Sequence, residues 1–290
     1  MTLLYSQLHA RRHHVSQLGN VVKAMRGVAA ARAQQSRNNL QNVRLYAEVV
    51  AQSMAQVLAI APDASAMAAG HDGGLALLLF CAEHGFAGAF SERILDAATN
   101  APTARILLIV GTRGARLATA RGWQLPWCTP MVSHLASAGA LADRISAELY
   151  RRVHAGGVIR VDVVHAQPHG STGIQVVRRP LLPLDYSRFS HAGATPPPLL
   201  NLPPRLLMQR LTAEYVFAQL NEAIICSYAT ENAARLQTMT AARDNISHRL
   251  DSLSREERLA RQAEITAEII ELAEGAEALG LRAATPIHHG

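Results

Sequence analysis

The chain begins with a helical pattern that runs unbroken for almost 60 residues. Small and apolar residues recur at spacings of three, four or seven, and the first proline is Pro62. Gly19 and Gly27 are the only glycines in this stretch. The pattern predicts one helix over residues 3–60, which is too long for an ordinary globular helix and therefore needs a partner helix. The positions that carry the pattern are Leu4, Leu8, Val15, Leu18, Val22, Met25, Ala29 and Arg32.

A second long helical pattern lies towards the other end of the chain. Residues 206–279 contain no proline, and Gly275 is their only glycine. Their apolar residues alternate at spacings of three and four, the 3.5-residue period of a coiled coil. Asn232 and Arg243 interrupt this seam, either to set its register or to face something outside the pair. We predict that the two long helices pair as an antiparallel coiled coil. The seam positions are Ala229, Asn232, Leu236, Met239, Arg243, Ile246, Leu250 and Leu253.

The middle of the chain alternates between short apolar runs and helical stretches, which predicts an α/β domain with a small sheet covered by helices. Five prolines within residues 187–204 indicate a linker. The predicted strands are Gly74–Cys81, Ala104–Val110, Val158–Ala166 and Gly173–Leu182, and the predicted helices lie in Gly85–Ala98, in residues 111–122 and in Leu135–His154. The predicted organisation is a coiled-coil helix (1–62), an α/β domain (70–186), the linker (187–204), a second coiled-coil helix (205–280) and a tail (281–290).

The chain has a small net positive charge, and almost all of its basic residues are arginines. Lysine and arginine number 28 against 22 acidic residues, for a formal charge of +6, and Lys23 is the only lysine. Such an excess fits nucleic acid, anionic lipid or an acidic protein. The basic face of the first helix has no aromatic residues on which bases could stack, so we expect acidic protein loops and no nucleic acid. This face comprises Arg11, Arg12, Lys23, Arg26, Arg32 and Arg37.

Cysteine and histidine usage predicts neither disulfides nor a metal site. The three cysteines are widely spaced, which fits a reducing cytoplasmic setting. The adjacent pairs His13-His14 and His288-His289 would face apart on a helix. No apolar run reaches the roughly 18 residues that span a bilayer, and no signal peptide precedes the polar N-terminus, so we expect no direct membrane span.

One motif has a chemical interpretation. Gly111-Thr-Arg-Gly114 follows a predicted strand and opens a helix, where nucleotide-binding folds hold phosphate; the alternative is a plain strand-to-helix turn. The GxGxxG and GxxxxGK[ST] patterns are absent, and no nucleophile elbow or paired carboxylates stand out. We therefore expect no catalytic residue and no cofactor.

Three segments resemble the γ subunit of F-type ATP synthases. The first is Val21-Val-Lys-Ala-Met-Arg-Gly-Val-Ala-Ala-Ala-Arg32, which is similar to the N-terminal helix motif of that family. The second is Glu83-His-Gly-Phe-Ala-Gly-Ala-Phe90, with Gly111-Thr-Arg-Gly114 matching the next turn. The third and longest comprises Glu231-Asn-Ala-Ala-Arg235, Met239, Asp244-Asn245, the run from Ala260 to Glu271 and Gly275-Ala276.

The chain departs from the family pattern at three places, which indicates a divergent member such as one encoded in an additional ATPase operon. Ala87-Gly88-Ala89 replaces Cys-Gly-Gly, Arg258-Leu259 replaces Asn-Lys, and the tail Gly280–Gly290 is extra.

The resemblance implies a rotor shaft without catalytic activity of its own. Its C-terminal helix would fill the cavity of an α3β3 hexamer, with nucleotide chemistry on the β subunits. The rest would contact the ε subunit and the membrane c-ring, at the cytoplasmic side of a bacterial inner membrane. Met25 is expected to face the Arg261–Thr266 segment. The coupling residues implied by the resemblance are Lys23, Met25, Arg32, Arg235, Asp244, Asn245, Arg261, Gln262 and Thr266.

The C-terminal helix is expected to turn inside its collar on a smooth apolar surface. Short side chains at Ala263, Ala267, Ala273, Ala276 and Ala278 alternate with Ile265, Ile269, Leu272 and Leu279. Two other classes of protein stay open at this point. One is a coiled-coil scaffold or adaptor with an α/β head, and the other is a small nucleotide-binding enzyme, which the missing P-loop disfavours.

Overall fold

The structure is a computed structural model that describes residues 2–65, 74–99, 104–169, 173–189 and 199–278. The helices are α1 (Thr2–Ile60), α2 (Phe90–Thr99), α3 (Thr112–Ala120), α4 (Ala138–His154) and α5 (Pro204–Ala278). The strands are β1 (Gly74–Phe80), β2 (Ala104–Val110), β3 (Trp127–Thr129), β4 (Val158–His169) and β5 (Gly173–Leu182).

Contacts group the chain into two compact units. One comprises residues 1–25 with 239–290, and the other comprises residues 26–238. Both long helices contribute to each unit, whereas the domain boundaries expected from the sequence lie at the helix ends and stay a prediction. Half of the predicted linker (residues 190–198) and the whole tail lie outside the described residues.

The unit of residues 26–238 contains a five-stranded sheet in the order β3-β2-β1-β4-β5. The first four strands are parallel, and β5 pairs antiparallel with β4. Four strands match the predicted ones closely, although β4 continues to His169. β3 was missed because its three residues lie between Pro126 and Pro130 and are too few to show a period.

Both faces of this sheet are covered, which explains why β1 is a continuous apolar run. Leu78 and Phe80 point to the face that packs against α4 and α5, and Leu77 and Leu79 point to the face that packs against α2. All four side chains are fully buried. A third cluster joins the last turns of α1 to the first turns of α5 around Met54, where Met208 is 1% exposed.

In each unit α1 and α5 run antiparallel, so the predicted helix pairing and the α/β fold class are confirmed. In the unit of residues 26–238, Arg44 pairs with Glu222 and Tyr46 donates to Glu214. In the other unit Glu257 pairs with α1, and the predicted seam residue Leu253 is fully buried. Two predicted seam positions differ, and one of them is Arg243, which is exposed.

The other differing seam position is Leu18, which is 59% exposed. Gly19, beside it, lies closest to α5, where a methyl group in place of the glycine hydrogen would be 3.3 Å from Cγ2 of Ile246. A glycine gives no apolar signal, and the pattern therefore assigned the contact to its larger neighbour.

Candidate functional surfaces

One carboxylate ties together three loops at the carboxyl ends of the parallel strands. Glu83 follows β1, and its Oε2 atom accepts hydrogen bonds from the backbone N–H groups of Thr112, at 3.0 Å, and Met131, at 2.8 Å. Its Oε1 atom accepts a bond of 2.6 Å from the Thr112 hydroxyl. Burial opposes ionisation, but these hydrogen bonds outweigh it, and the pKa of Glu83 lies below its ordinary value. Glu83 is therefore an internal anion that orders this edge of the sheet.

The first backbone donors of α3 are already bonded within the chain. Glu83 accepts from the N–H of Thr112, and the carbonyl of Ala82 accepts from the next two N–H groups. Gly111 has a φ of 109°, and a Cβ there would lie 2.4 Å from the carbonyl oxygen of Cys81. The Gly111–Gly114 segment is thus the tight strand-to-helix turn, and an internal carboxylate occupies the place where a phosphate would bind.

The α5 residues of the family signature lie buried against these loops. Arg235 donates from Nη2 to Oε1 of Glu231 at 2.5 Å and from Nε to the carbonyl of Gly85 at 3.2 Å. Its Nη1 atom donates to Asn232 at 3.1 Å, so this polar seam residue bonds within α5 and not to α1. The Arg235 side chain is only 9% exposed. Arg235 thus holds the loop that follows β1, and its expected role in partner binding stays a prediction.

That loop displays an aromatic side chain in a strained conformation. Phe86 has a φ of 63° and is 64% exposed. A bulky residue at positive φ costs on the order of 1–3 kcal/mol and tends to occur at functional sites. Phe86 could not be singled out from the sequence, because neither exposure nor φ can be read from the pattern.

A polar cluster lies where β4 and β5 meet the long helices of the same unit. His165 on β4 is 2% exposed, and its Nδ1 atom has no hydrogen-bond partner among the described residues. Burial lowers the pKa of His165 to about 3, with further contributions from the positive charges of Arg179 and Arg44. Burial and Glu222 raise the pKa of Cys226 to about 11. At neutral pH the cluster therefore holds a neutral imidazole and a protonated thiol.

We predict that acid lowers the stability of this unit through His165. Unfolding exposes His165, which then takes up a proton below about pH 6.5, whereas the folded chain does so only below about pH 3. The free energy of unfolding should thus be unaffected by this group above pH 6.5 and should fall between pH 6.5 and 3, by up to about 1.4 kcal/mol per pH unit. Urea titrations of wild-type chain and His165→Leu between pH 7.5 and 4.5 measure this. The variant should show the shallower slope, with His169→Leu on the same strand as control; equal slopes would contradict the prediction.

In the other unit the helix register is set by Glu257. Its carboxylate accepts from Nδ1 of His9 at 2.8 Å and from Nε of Arg12 at 2.9 Å. Together with the approach of Gly19 to Ile246, this pairing places Met25 level with about residue 241 of α5.

The expected contact between Met25 and the Arg261–Thr266 segment is therefore wrong. The segment lies level with the first residues of α1, about 30 Å along the helices from Met25. The resemblance identified the two motifs but gave no information on the register between α1 and α5. That register is seen only in the contacts between the paired helices.

Six of the other residues expected to take part in coupling fall into two exposed groups. Lys23 lies within about a turn of the level of Asp244 and Asn245, and all three are exposed. Arg261, Gln262 and Thr266 form a second exposed group nearer the end of α5. Arg32 is half-buried and belongs to the other unit. Of the predicted basic face, Arg11 is exposed, whereas Arg12 is engaged by Glu257.

The last turns of α5 carry a group of exposed apolar side chains. α1 begins level with about residue 264, so α5 continues beyond the described part of its partner. Ile265, Ile269 and Leu272 share one face, and they are 48%, 61% and 74% exposed. Leu279 lies outside the described residues. An apolar face of this kind, on a helix without a partner, indicates a protein-binding surface.

No group of three or more potential metal ligands occurs among the residues that the structure describes. Within the same residues, no helix is both long and apolar enough to cross a bilayer.

These features define a class of protein with an antiparallel pair of long helices, an α/β unit and an exposed apolar face at the end of α5. A family model described as ATP synthase matches residues 5–279. The ATP synthase gamma chain of Heliobacterium modesticaldum is 26% identical over 272 residues, covering 90% of this chain and 93% of the relative. That of Streptomyces avermitilis is 30% identical over 221 residues, covering 70% and 72%.

Solved structures share the fold. A chain of the Euglena gracilis mitochondrial ATP synthase, in a structure of OSCP, F1 and c-ring, matches with a TM-score of 0.65 at 13% identity over the whole of both chains. A chain of the Tetrahymena thermophila central stalk and c-ring matches with a TM-score of 0.57 at 18% identity, covering 77% of this chain and 99% of that one.

The chain therefore belongs to the ATP synthase gamma chain family. It is a gamma subunit, the central-stalk rotor component of an F-type ATP synthase, and family membership confirms the expectation of a subunit that is not itself catalytic.

Proposed function

We propose that this chain turns as the shaft of a bacterial F-type ATP synthase, coupling ion flow through a c-ring to nucleotide chemistry on β subunits. The free end of α5 enters the cavity of an α3β3 hexamer, and the unit of residues 26–238 contacts the ε subunit and the c-ring. The complex lies on the cytoplasmic side of the inner membrane, with this chain peripheral to it. The observation that carries the proposal is the exposed apolar face at the end of α5, in a chain whose family match extends to residue 279.

The chemistry of that face suits rotation. Apolar contact is non-directional, so a collar can bind it at many angles with nearly equal free energy. Coupling then requires groups elsewhere whose contacts differ between β conformations, because a shaft shifts that equilibrium only by differential contact. The two exposed groups fit this role: Lys23 with Asp244 and Asn245, and Arg261 with Gln262 and Thr266.

Reconstitution tests the proposal. The chain is co-expressed with the α, β, ε and c subunits of its operon and purified through a tag on β, and ATP-driven ion uptake is measured in inverted membrane vesicles. We expect the chain to co-purify and uptake to depend on it. An adaptor role would be supported instead by a well-behaved chain that stays apart from the hexamer, with uptake unchanged when its gene is deleted.

A further inference from the structure

Glu222 joins both long helices to the sheet. On α5, its Oε1 atom accepts from Nε of Arg44 on α1 at 3.0 Å, and its Oε2 atom accepts from Nη1 of Arg179 on β5 at 3.2 Å. Arg179 also donates from Nη2 to the carbonyl of Gln219 on α5 at 2.9 Å. The Glu222 side chain is 14% exposed and that of Arg179 is 29% exposed. All of these residues belong to the unit of residues 26–238.

The bridge differs in kind from the packing around it. The surrounding contacts between α5 and the sheet are apolar, with Val163, Leu220 and Ile224 in one cluster. Such contacts resist separation without favouring one orientation, whereas charge-assisted hydrogen bonds are directional. Because each oxygen of Glu222 is committed to a different element, a shift of α1 or α5 along the sheet would break a bond.

Other carboxylates of this unit make different connections. Asp162 is bound by Arg160 and Arg178, and all three lie within β4 and β5. Glu231 binds Arg235 on its own helix and the backbone of the loop after β1. Glu214 binds Tyr46 and so joins α5 to α1 alone. Glu222 is thus the carboxylate whose observed bonds reach α1 and the sheet together.

We propose that Glu222 is a positioning residue that carries torque between the α1–α5 helix pair and the sheet of its unit. The proposal rests on the rotor function proposed above. Torque entering a shaft through its α/β part must cross the contact between α5 and the sheet before it reaches the free helix end. If the contact between α5 and the sheet were flexible, the helix pair would rotate less than the sheet. Fewer ions would then be moved for each ATP hydrolysed.

The test uses the assembled complex with Glu222→Gln, which keeps the side chain's size and removes its charge. Ion uptake and ATP hydrolysis are measured on the same inverted vesicles, and torsional stiffness is measured from the angular fluctuations of a probe on the α/β unit while the hexamer is stalled. We expect hydrolysis to persist, with a fall of about two-fold or more in ions moved per ATP and in stiffness. Glu214→Gln is the matched control, because it loosens α1 from α5 without touching the sheet.

Each outcome decides the matter. Glu222→Gln with wild-type stiffness and pumping ratio would overturn the proposal, and so would an equal loss in Glu214→Gln. If Glu222→Gln fails to assemble, Arg44→Gln replaces it, because Arg44 is half exposed and its loss removes only one of the two ion pairs of Glu222. Unchanged torsional stiffness in Arg44→Gln would also contradict the proposal. A wild-type complex whose uptake does not depend on this chain would instead refute the rotor function itself.

Discussion

Truncation of the chain before Arg261 should abolish ion pumping by the assembled complex, whereas removal of Gly280–Gly290 should leave it nearly unchanged. The longer truncation deletes the apolar face of Ile265, Ile269 and Leu272 and the exposed group that begins at Arg261. Each large aliphatic side chain that becomes buried in a partner contributes about 1.5–3 kcal/mol. Without these contacts the hexamer would bind the chain much more weakly. Co-purification and ATP-driven uptake measure the two consequences.

Point variants separate the apolar face from mere helix length. Ile265→Ser, Ile269→Ser and Leu272→Ser together keep the helix but remove its apolar face, and should weaken assembly strongly. The matched control is Glu264→Gln, Glu268→Gln and Glu271→Gln, on a different face of the same turns, which should have the smaller effect. Pumping that survives the truncation before Arg261 would contradict the rotor assignment.

The long helices could be predicted because their signal is local and repeated. A period of 3.5 over many turns, with no proline, leaves few alternatives for residues 3–60 and 206–279. β1 and β2 could also be predicted, because strands buried on both faces appear in the sequence as short apolar runs. The register between the helices could not be predicted, because it depends on contacts such as that of His9 with Glu257, which are 248 residues apart. The misplaced contact of Met25 has this cause.

The edge of the sheet shows the same limit for side chains. Glu83 bonds to Thr112 and Met131, which are 29 and 48 residues away, and nothing in its neighbouring sequence marks it as a part-buried anion. Glu231 and Arg235 stand four residues apart, a spacing that usually indicates a solvent-exposed helix pair. Only the position of α5 against the loop after β1 makes this pair buried.

That burial leads to the second prediction of large effect. Arg235→Leu should lower the free energy of unfolding by about 3–5 kcal/mol, because it leaves Glu231 as a buried anion without its cation. The Glu231 side chain is 4% exposed, so water cannot replace the lost partner, and the carbonyl of Gly85 and Oδ1 of Asn232 lose their donor as well. A loss of this size is a large part of the 5–15 kcal/mol that typically stabilises a folded protein.

Urea denaturation of the full-length chain, followed by circular dichroism, measures the effect. Arg243→Leu is the matched control, since Arg243 lies two turns further along α5 and is exposed, and it should change the free energy of unfolding by less than about 0.5 kcal/mol. The double variant Glu231→Leu with Arg235→Leu should be more stable than Arg235→Leu alone, because removing both charges leaves no buried ion to solvate. If Arg235→Leu costs no more than Arg243→Leu, or if the double variant is the less stable of the two, the Glu231–Arg235 pair does not hold α5 against the loop after β1 in the way described.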